Sequence, residues 1–245
     1  MEQEIAVTII TVSYNSEKTI ERTIKSVLSQ SYGRLEYILV DGSSKDGTVD
    51  IIRRYAKEDK RVRFVSEPDQ GIYDAMNKGI RMATGELIGI INSDDWYEPE
   101  AVSEVVRRFL ENERRPAVYY GAMGLFQDGL EKACLFYHHH FLPERMINHP
   151  SCFVAKSLYD ELGVYDTRYK LVADYEFMLR VFFRDESLFI PVHERLANFS
   201  AGSFSGSVDA ELETDLLLRD KGLMPPGQYR KRRLVRTVKK MFGYS

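Results

Sequence analysis

Three short polar runs each follow an apolar stretch within the first 97 residues: Ser13-Tyr14-Asn15, Asp41-Gly42-Ser43-Ser44 and Asn92-Ser93-Asp94-Asp95. Taken singly, each has an ordinary explanation, with Asn15 or Ser16 and Asp46 as helix caps and Asp41 as a turn former. Taken together they point further. In an open parallel sheet the carboxyl ends of the strands share one edge, and ligands bind there because loops and helix N-termini converge on it. Asp41 can accept from a base or a ribose. Asp94 with Asp95 can hold a hard divalent cation, magnesium or manganese, which takes oxygen ligands and keeps substrate phosphates as partners. Carboxylates and a cation at one edge imply a diphosphate ligand. The run Gly42-Ser43-Ser44-Lys45-Asp46-Gly47 has the glycine spacing of a P-loop, but Thr48-Val49 stand where Lys and Ser/Thr are required, so it is not an ATPase loop. No G-x-G-x-x-G follows the first apolar run, which disfavours a nicotinamide or flavin dehydrogenase.

The elements needed to present those runs are legible. Residues 5–12 are almost continuously apolar and β-branched, the pattern of a strand covered on both faces. Ile20, Ile24, Val27 and Leu28 recur at helical spacing between Glu17 and Gln30. Strands at 35–40, 61–66 and 86–92 alternate with helices at 48–58 and 72–83, the last closed by Gly85. This rhythm predicts a doubly wound, mostly parallel α/β sheet. Beyond Asp95 it loosens into a helix near 99–111, a strand at 117–123, a hairpin turning at Asp128-Gly129, a helix at 172–184 and two short strands within 187–200. That half reads as mixed or antiparallel. Two charged helices separated by Met224-Pro225-Pro226-Gly227 close the chain.

The 245 residues are 44% hydrophobic and carry 34 Lys+Arg against 37 Asp+Glu, a net −3 that excludes a disordered or fibrous chain. No acid follows Asp220, whereas Arg230, Lys231, Arg232, Arg233, Arg236, Lys239 and Lys240 are all basic. Leu234, Val235, Val238, Met241 and Phe242 share one helical face with them, as in a helix lying on an anionic membrane; packing on the chain's own domain or on a dimer mate is the alternative. The basic region lacks interleaved stacking aromatics, so nucleic acid is not the expected partner. Cys134 and Cys152 read as small buried hydrophobes rather than a disulfide or zinc framework. With no basic leader before the first strand and no long apolar run, a cytoplasmic protein is expected, peripheral on the inner face of the plasma membrane if the tail binds lipid.

The segments VTIITVSYNSEKTIERTIKSVLSQSY, LEYILVDGSSKDGT and EPDQGIYDAMNKGIRMATGELIGIINSDDWY together resemble the family 2 glycosyltransferases of the GT-A fold, especially bacterial enzymes of exopolysaccharide, capsule or O-antigen synthesis. The resemblance covers residues 5 to about 205. It implies a GT-A domain over 1–205, with a nucleotide-binding half at 1–97 and an acceptor-binding half at 98–205, followed by a helical basic tail at 206–245. It also implies an inverting, metal-dependent transfer from a nucleotide diphosphate sugar, UDP-linked as first choice, to a saccharide hydroxyl on a lipid-linked intermediate.

By the same resemblance, Thr11, Tyr14, Asn15 and Asp41 hold base and ribose, and the segment containing Asp69, Gln70, Gly71 and Asn77 borders the diphosphate. The metal motif falls on Asn92-Ser93-Asp94; Asn92 replaces the commoner Asp, leaving Asp94 as main ligand with Asp95 and His193 as further candidates. Displacement at the anomeric carbon needs a carboxylate to take the acceptor proton, and Asp174 occupies that position, with Ala173 where Glu is commoner and Glu176 as its rival. Trp96 and His149 fall on the acceptor side. His138, His139 and His140 read as loop or groove surface, since sequence neighbours on a strand point apart. A non-catalytic saccharide-binding protein of the same fold is the alternative, and a sugar-phosphate nucleotidylyltransferase is a weaker one because SYNSEKT carries no Gly-rich basic loop.

Overall fold

The computed structural model describes residues 5–201 and 207–241. The 205/206 division and Phe242 lie outside the described residues. In chain order the first half comprises β1 (Val7–Ser13), α1 (Ile20–Leu28), β2 (Leu35–Asp41), α2 (Thr48–Glu58), β3 (Val62–Ser66), α3 (Ile72–Met82), β4 (Leu87–Ile90) and the two-residue β5 (Trp96–Tyr97). The second half comprises α4 (Ala101–Glu111), β6 (Val118–Gln127), β7 (Leu130–Leu135), β8 (Cys152–Ala155), α5 (Lys156–Leu162), α6 (Ala173–Arg184), β9 (Phe189–Ser200), α7 (Val208–Asp220) and α8 (Pro226–Met241).

One sheet runs β3-β2-β1-β4-β8-β6-β9-β5, with β7 added on β6. The first four strands are parallel and make the predicted wound half. All seven residues of β1 are buried, as its unbroken apolar run requires of a central strand. On α1, Ile20, Ile24 and Val27 lie on the buried stripe, while residues 17–19 form a turn rather than its first coil. The parallel register sets Ser13 beside Asp41 and Asp41 beside Ser66, so three strands end at one level.

The second half joins without a break: β8 pairs antiparallel with β4, β6 antiparallel with β8, and β9 parallel with β6. The expected hairpin is present, with Asp128 (φ 53°) and Gly129 (φ 76°) both left-handed, the two-residue turn that suits strand twist. The two short strands expected at 187–200 are one twelve-residue strand, because β6 and then β5 pair along its length. Cys134 is exposed on the edge strand β7, correcting the expectation that both cysteines are buried; Cys152 is buried.

Pro226 opens α8, where a missing N–H costs nothing. One face of this helix docks on α7: Arg232 and Arg236 pair with the fully buried Asp215, Arg236 also with Glu211, and Lys240 with Asp209. The basic tail therefore packs on its own chain through every fourth residue. Among the described residues no helix is long and apolar enough to cross a membrane.

Gly85, between α3 and β4, is a close-approach position: a Cβ there would stand 2.6 Å from the Thr8 amide nitrogen and 2.8 Å from the Ala6 carbonyl oxygen. These are backbone atoms of the central strand and cannot swing aside. Gly85→Ala should lower stability by about 1–3 kcal/mol, the usual cost of overpacking, read as a lower thermal midpoint; an unchanged midpoint would show that β1 and β4 can separate there.

Candidate active site

Asp41 is wholly buried at the end of β2 and accepts from the Ser13 hydroxyl (3.2 Å), the Ser44 hydroxyl (2.5 Å), the Ser44 amide (2.9 Å) and the Ser66 hydroxyl (2.7 Å). A buried carboxylate is tolerable only with such a set of donors. It thereby ties the ends of β1, β2 and β3 together. Asn15, left-handed at φ 49°, completes the tie: its amide donates to the Ser44 hydroxyl and its side-chain oxygen accepts from the Lys45 amide, both at 2.8 Å.

Other residues named from the sequence stand around this knot. Tyr14 projects with 65% exposure, and a Cβ on Gly42 would lie 3.4 Å from its ring and 2.5 Å from Asp69 Oδ2. Tyr14 and Asp69 thus both approach Gly42, and a side chain there would have to displace the Asp69 carboxylate. The Gly71 amide donates to Asp69 (2.9 Å), the Gln70 amide to Asp74 (3.1 Å), and Gly71 takes φ 119°, open to glycine alone. Two named residues lie elsewhere. Thr11 is buried, its hydroxyl accepting from the Tyr37 hydroxyl (3.0 Å). Asn77 is buried on α3, and its amide makes two 2.9 Å bonds with the main chain of Tyr165.

Residues 92–95 leave β4 beside β1. The Ser93 hydroxyl donates to Ser16 (2.8 Å), and the Thr23 hydroxyl to the Asp95 carbonyl (2.6 Å). Asp95 does not cap the following helix; it is fully buried, with Oδ1 accepting from the Ser200 amide at 3.0 Å. Its Oδ2 and the Oδ1 of Asn92 are buried without a hydrogen-bond partner. Orphaned oxygens at the predicted metal motif, beside the Asp94 carboxylate, form a donor set that suits a hard cation. Among the described residues no three His, Cys, Asp or Glu side chains cluster to cage a metal, so phosphate and water oxygens would have to complete the shell. His193 does not join: it is exposed on β9, five residues before Asn198, the partner of Trp96, roughly 16 Å away at ~3.3 Å per residue.

Sequence reasoning missed Arg22. Its guanidinium lies 3.8 Å above the Trp96 ring and donates to the Asp94 carbonyl at 2.5 Å, setting one positive charge beside the two acids. Trp96 is held between Arg22 and Phe126, whose ring centroid is 4.8 Å away. No motif marks Arg22, which only faces away from the apolar stripe of α1.

The second half of the chain meets this edge at α3. The Tyr73 hydroxyl, in the first turn of α3, donates to Asp174 Oδ1 at 2.7 Å, linking residues 101 positions apart. Asp174 is half-buried at the start of α6. His149 Nε2 is 3.0 Å from the Tyr165 hydroxyl; burial pushes the imidazole below its usual range, and the Asp174 charge opposes that. The rival Glu176 is buried and held by Arg180 and Lys221, both at 2.8 Å, whereas Asp174 is half-buried and bonded to the Tyr73 hydroxyl. His139 instead bonds the Tyr120 hydroxyl (2.7 Å), and His140 meets Glu186 (3.0 Å).

Burial raises the pKa of Asp94; burial and then the Asp94 charge raise that of Asp95 well above the usual range. A raised folded-state value favours the fold below the unfolded pKa, and that contribution is lost as pH rises through the folded one. Asp95→Asn should therefore raise the thermal midpoint near neutral pH and change it little in acid. A lower midpoint near neutrality would show that the charge is already compensated.

Known proteins can be set against this geometry. The family model described as Glycosyl transferase family 2 matches residues 8–157. A PGL/p-HBAD biosynthesis glycosyltransferase of Mycobacterium bovis is 29% identical over 213 residues, 86% of this chain and 82% of that protein. An uncharacterized glycosyltransferase of Mycobacterium tuberculosis is 34% identical over 181 residues, 71% of this chain and 68% of the other. S. aureus TarS 1-349, solved in complex with UDP-GlcNAc, superposes with TM-score 0.71 at 16% identity, over 93% of this chain and 69% of that one; the longer TarS structure is covered over 41% of its length. The mannosyltransferase PcManGT of Pyrobaculum calidifontis, solved with GDP-Man and Mn2+, gives TM-score 0.64 at 19% identity over 97% and 70%. The fold is the GT-A arrangement of these structures. With the family model matching more than half of its length and a 34% identical relative covering 71% of it, the chain belongs to glycosyl transferase family 2 and is a glycosyltransferase.

Proposed function

We propose an inverting transfer of a sugar from a nucleoside diphosphate donor to a saccharide hydroxyl. The observation that carries it is the Tyr73–Asp174 hydrogen bond. Helix α3 starts at the Asp69–Gly71 loop, and within its first turn Tyr73 touches the half-buried carboxylate of Asp174. A carboxylate near a diphosphate cleft, but on a different element, is what single displacement requires: the leaving group departs on one side, and a base takes the proton on the other. Tyr73 holds Oδ1, which directs Oδ2 to the incoming hydroxyl. Tyr14, Gly42 and the serine-bound Asp41 shape the base and ribose end, where a donor reaches Asp41 by displacing a serine hydroxyl. Asp69, Gln70 and Gly71 border the diphosphate. Asp94, with oxygens of Asn92 and Asp95 close by, would hold a divalent cation, which would supply positive charge toward the leaving diphosphate. Arg22 contributes fixed positive charge at the same place. Trp96 and His149 line the acceptor side.

UDP is the first donor to test, a choice supported by the UDP-GlcNAc that TarS binds. A non-catalytic saccharide-binding role would show nucleotide binding without turnover. Asp94→Ala should abolish turnover together with the manganese enhancement of nucleotide affinity, and transfer that survives EDTA would overturn the metal assignment. Asp174→Asn should keep donor affinity and lose ~10²–10⁴-fold in kcat, as loss of a general base does. A fully active Asp174→Asn enzyme would remove Asp174 from that role.

A lipid-linked acceptor at a membrane surface fits the outward side of α8. Leu234, Val235 and Val238 are 68%, 50% and 43% exposed there, and Arg230, Lys231, Arg233 and Lys239 are exposed around them. The residues docked on α7 fall on the opposite side of the helix. Basic residues near anionic lipid contribute on the order of 1 kcal/mol each. Replacing Arg230, Lys231 and Arg233 by Gln should therefore cut sedimentation with anionic vesicles and transfer to a lipid-linked acceptor, with transfer to a soluble acceptor unchanged. Equal binding to neutral vesicles, or concentration-dependent dimerisation through the same face, would replace the membrane reading.

A further inference from the structure

The loop that delivers Asp174 is held at both ends by side chains from distant parts of the chain. At its start Asn77 takes the main chain of Tyr165 with two bonds. At its end stands Glu213 of α7. Its carboxylate accepts from three successive backbone amides: Lys170 (2.9 Å) at Oε1, and Leu171 (2.5 Å) and Val172 (3.0 Å) at Oε2. Ala173 follows as the first residue of α6, and Asp174 as the second.

Three amide donors converging on one carboxylate make a charge-assisted clamp, stronger than bonds between neutral groups. Glu213 is not part of the ion-pair row of α7, since Asp209, Glu211 and Asp215 take the basic residues of α8. Burial first, then the Asp174 charge and, last, that of Glu213 disfavour ionisation of the Tyr73 phenol, so the clamp lies within electrostatic range of the Tyr73–Asp174 pair. Tyr73 as a neutral phenol remains a donor and holds Asp174 from the α3 side.

We propose that Glu213 is a positioning residue for sugar transfer: it anchors residues 170–172 so that the Asp174 carboxylate stands at the donor cleft. The inference rests on Asp174 acting as the base. Glu213 is occupied by the backbone amides of residues 170–172, so it should act on turnover and leave nucleotide binding alone.

The test compares Glu213→Ala, Glu213→Gln, Asp174→Asn and the double variant Asp174→Asn/Glu213→Ala, measuring UDP affinity by calorimetry, kcat at saturating donor and the thermal midpoint. Misplacing a reacting group by about 1 Å costs on the order of 10²-fold, so Glu213→Ala should lose ~10–10²-fold in kcat with UDP affinity unchanged. Glu213→Gln keeps one acceptor oxygen and should lose less, roughly tenfold; it carries the test if the alanine variant fails to fold. In the Asp174→Asn background the alanine substitution should cost nothing further, because it acts through the missing carboxylate. A folded Glu213 variant with wild-type kcat, an equal loss in the Asp174→Asn background, or kcat and UDP affinity falling together would each overturn the clamp. Full activity of Asp174→Asn itself would overturn the base assignment instead, so the two failures are distinguishable.

Discussion

A buried negative charge organises the donor end of this protein. Asp41 has no solvent contact, and an ion in that position persists only if donors surround it. Ser13, Ser44 and Ser66 supply those donors, and they can do so because the parallel register sets the last residues of β1, β2 and β3 side by side. Each loop that departs from those strands begins from a residue bonded to, or next to, this carboxylate. The approach of Tyr14 and Asp69 to Gly42 follows from that common starting level, and a side chain at Gly42 would push the Asp69 carboxylate away.

The second organising element is α3. Its buried residues pack on the sheet, and the absence of a side chain at Gly79 lets it lie against Ile10 of β1. From that seat it sends Asn77 to the main chain of Tyr165 and Tyr73 to Asp174. One helix of the donor half thus holds both the start of the acceptor-half loop and the carboxylate at its end. The sheet does the same through β4 and β8, whose antiparallel pairing joins the halves as one body. Precision at a reacting centre depends on such rigid supports.

The C-terminal pair α7 and α8 divides its faces. On α7, Glu213 points to the loop before α6, while Asp209, Glu211 and Asp215 take the basic residues of α8 at every fourth position. The buried Asp215 is balanced by two arginines, a pairing that removes most of the cost of its charge. The apolar residues of α8 are left outside, since the inward side of the helix is already occupied by arginine and lysine stems.

Local pattern carried the donor half. Unbroken β-branched runs, the 3.6-residue spacing of Ile20, Ile24 and Val27, and polar residues at strand ends are written in adjacent residues, so the wound parallel sheet, its carboxyl edge and Asp94 at that edge could be read directly, whereas Asp174 was named only through the family resemblance. The hairpin at Asp128-Gly129 was legible for the same reason, because two left-handed residues in a row demand that dipeptide. Contacts over long separations were not legible. Arg22 over Trp96, Tyr73 on Asp174 across 101 positions and Glu213 beneath residues 170–172 depend on where whole elements dock, which no local spacing encodes. The same reason accounts for the residues that went elsewhere. Thr11 and Asn77 lie within the recognised segments, but strand and helix phase turn them inward to Tyr37 and Tyr165, and β9 carries His193 away from Asp94. Residue types determined which chemistry was available; the docking of α3, α6 and α7 on the sheet decided which of those groups meet, because only packing brings side chains from distant segments within hydrogen-bonding range.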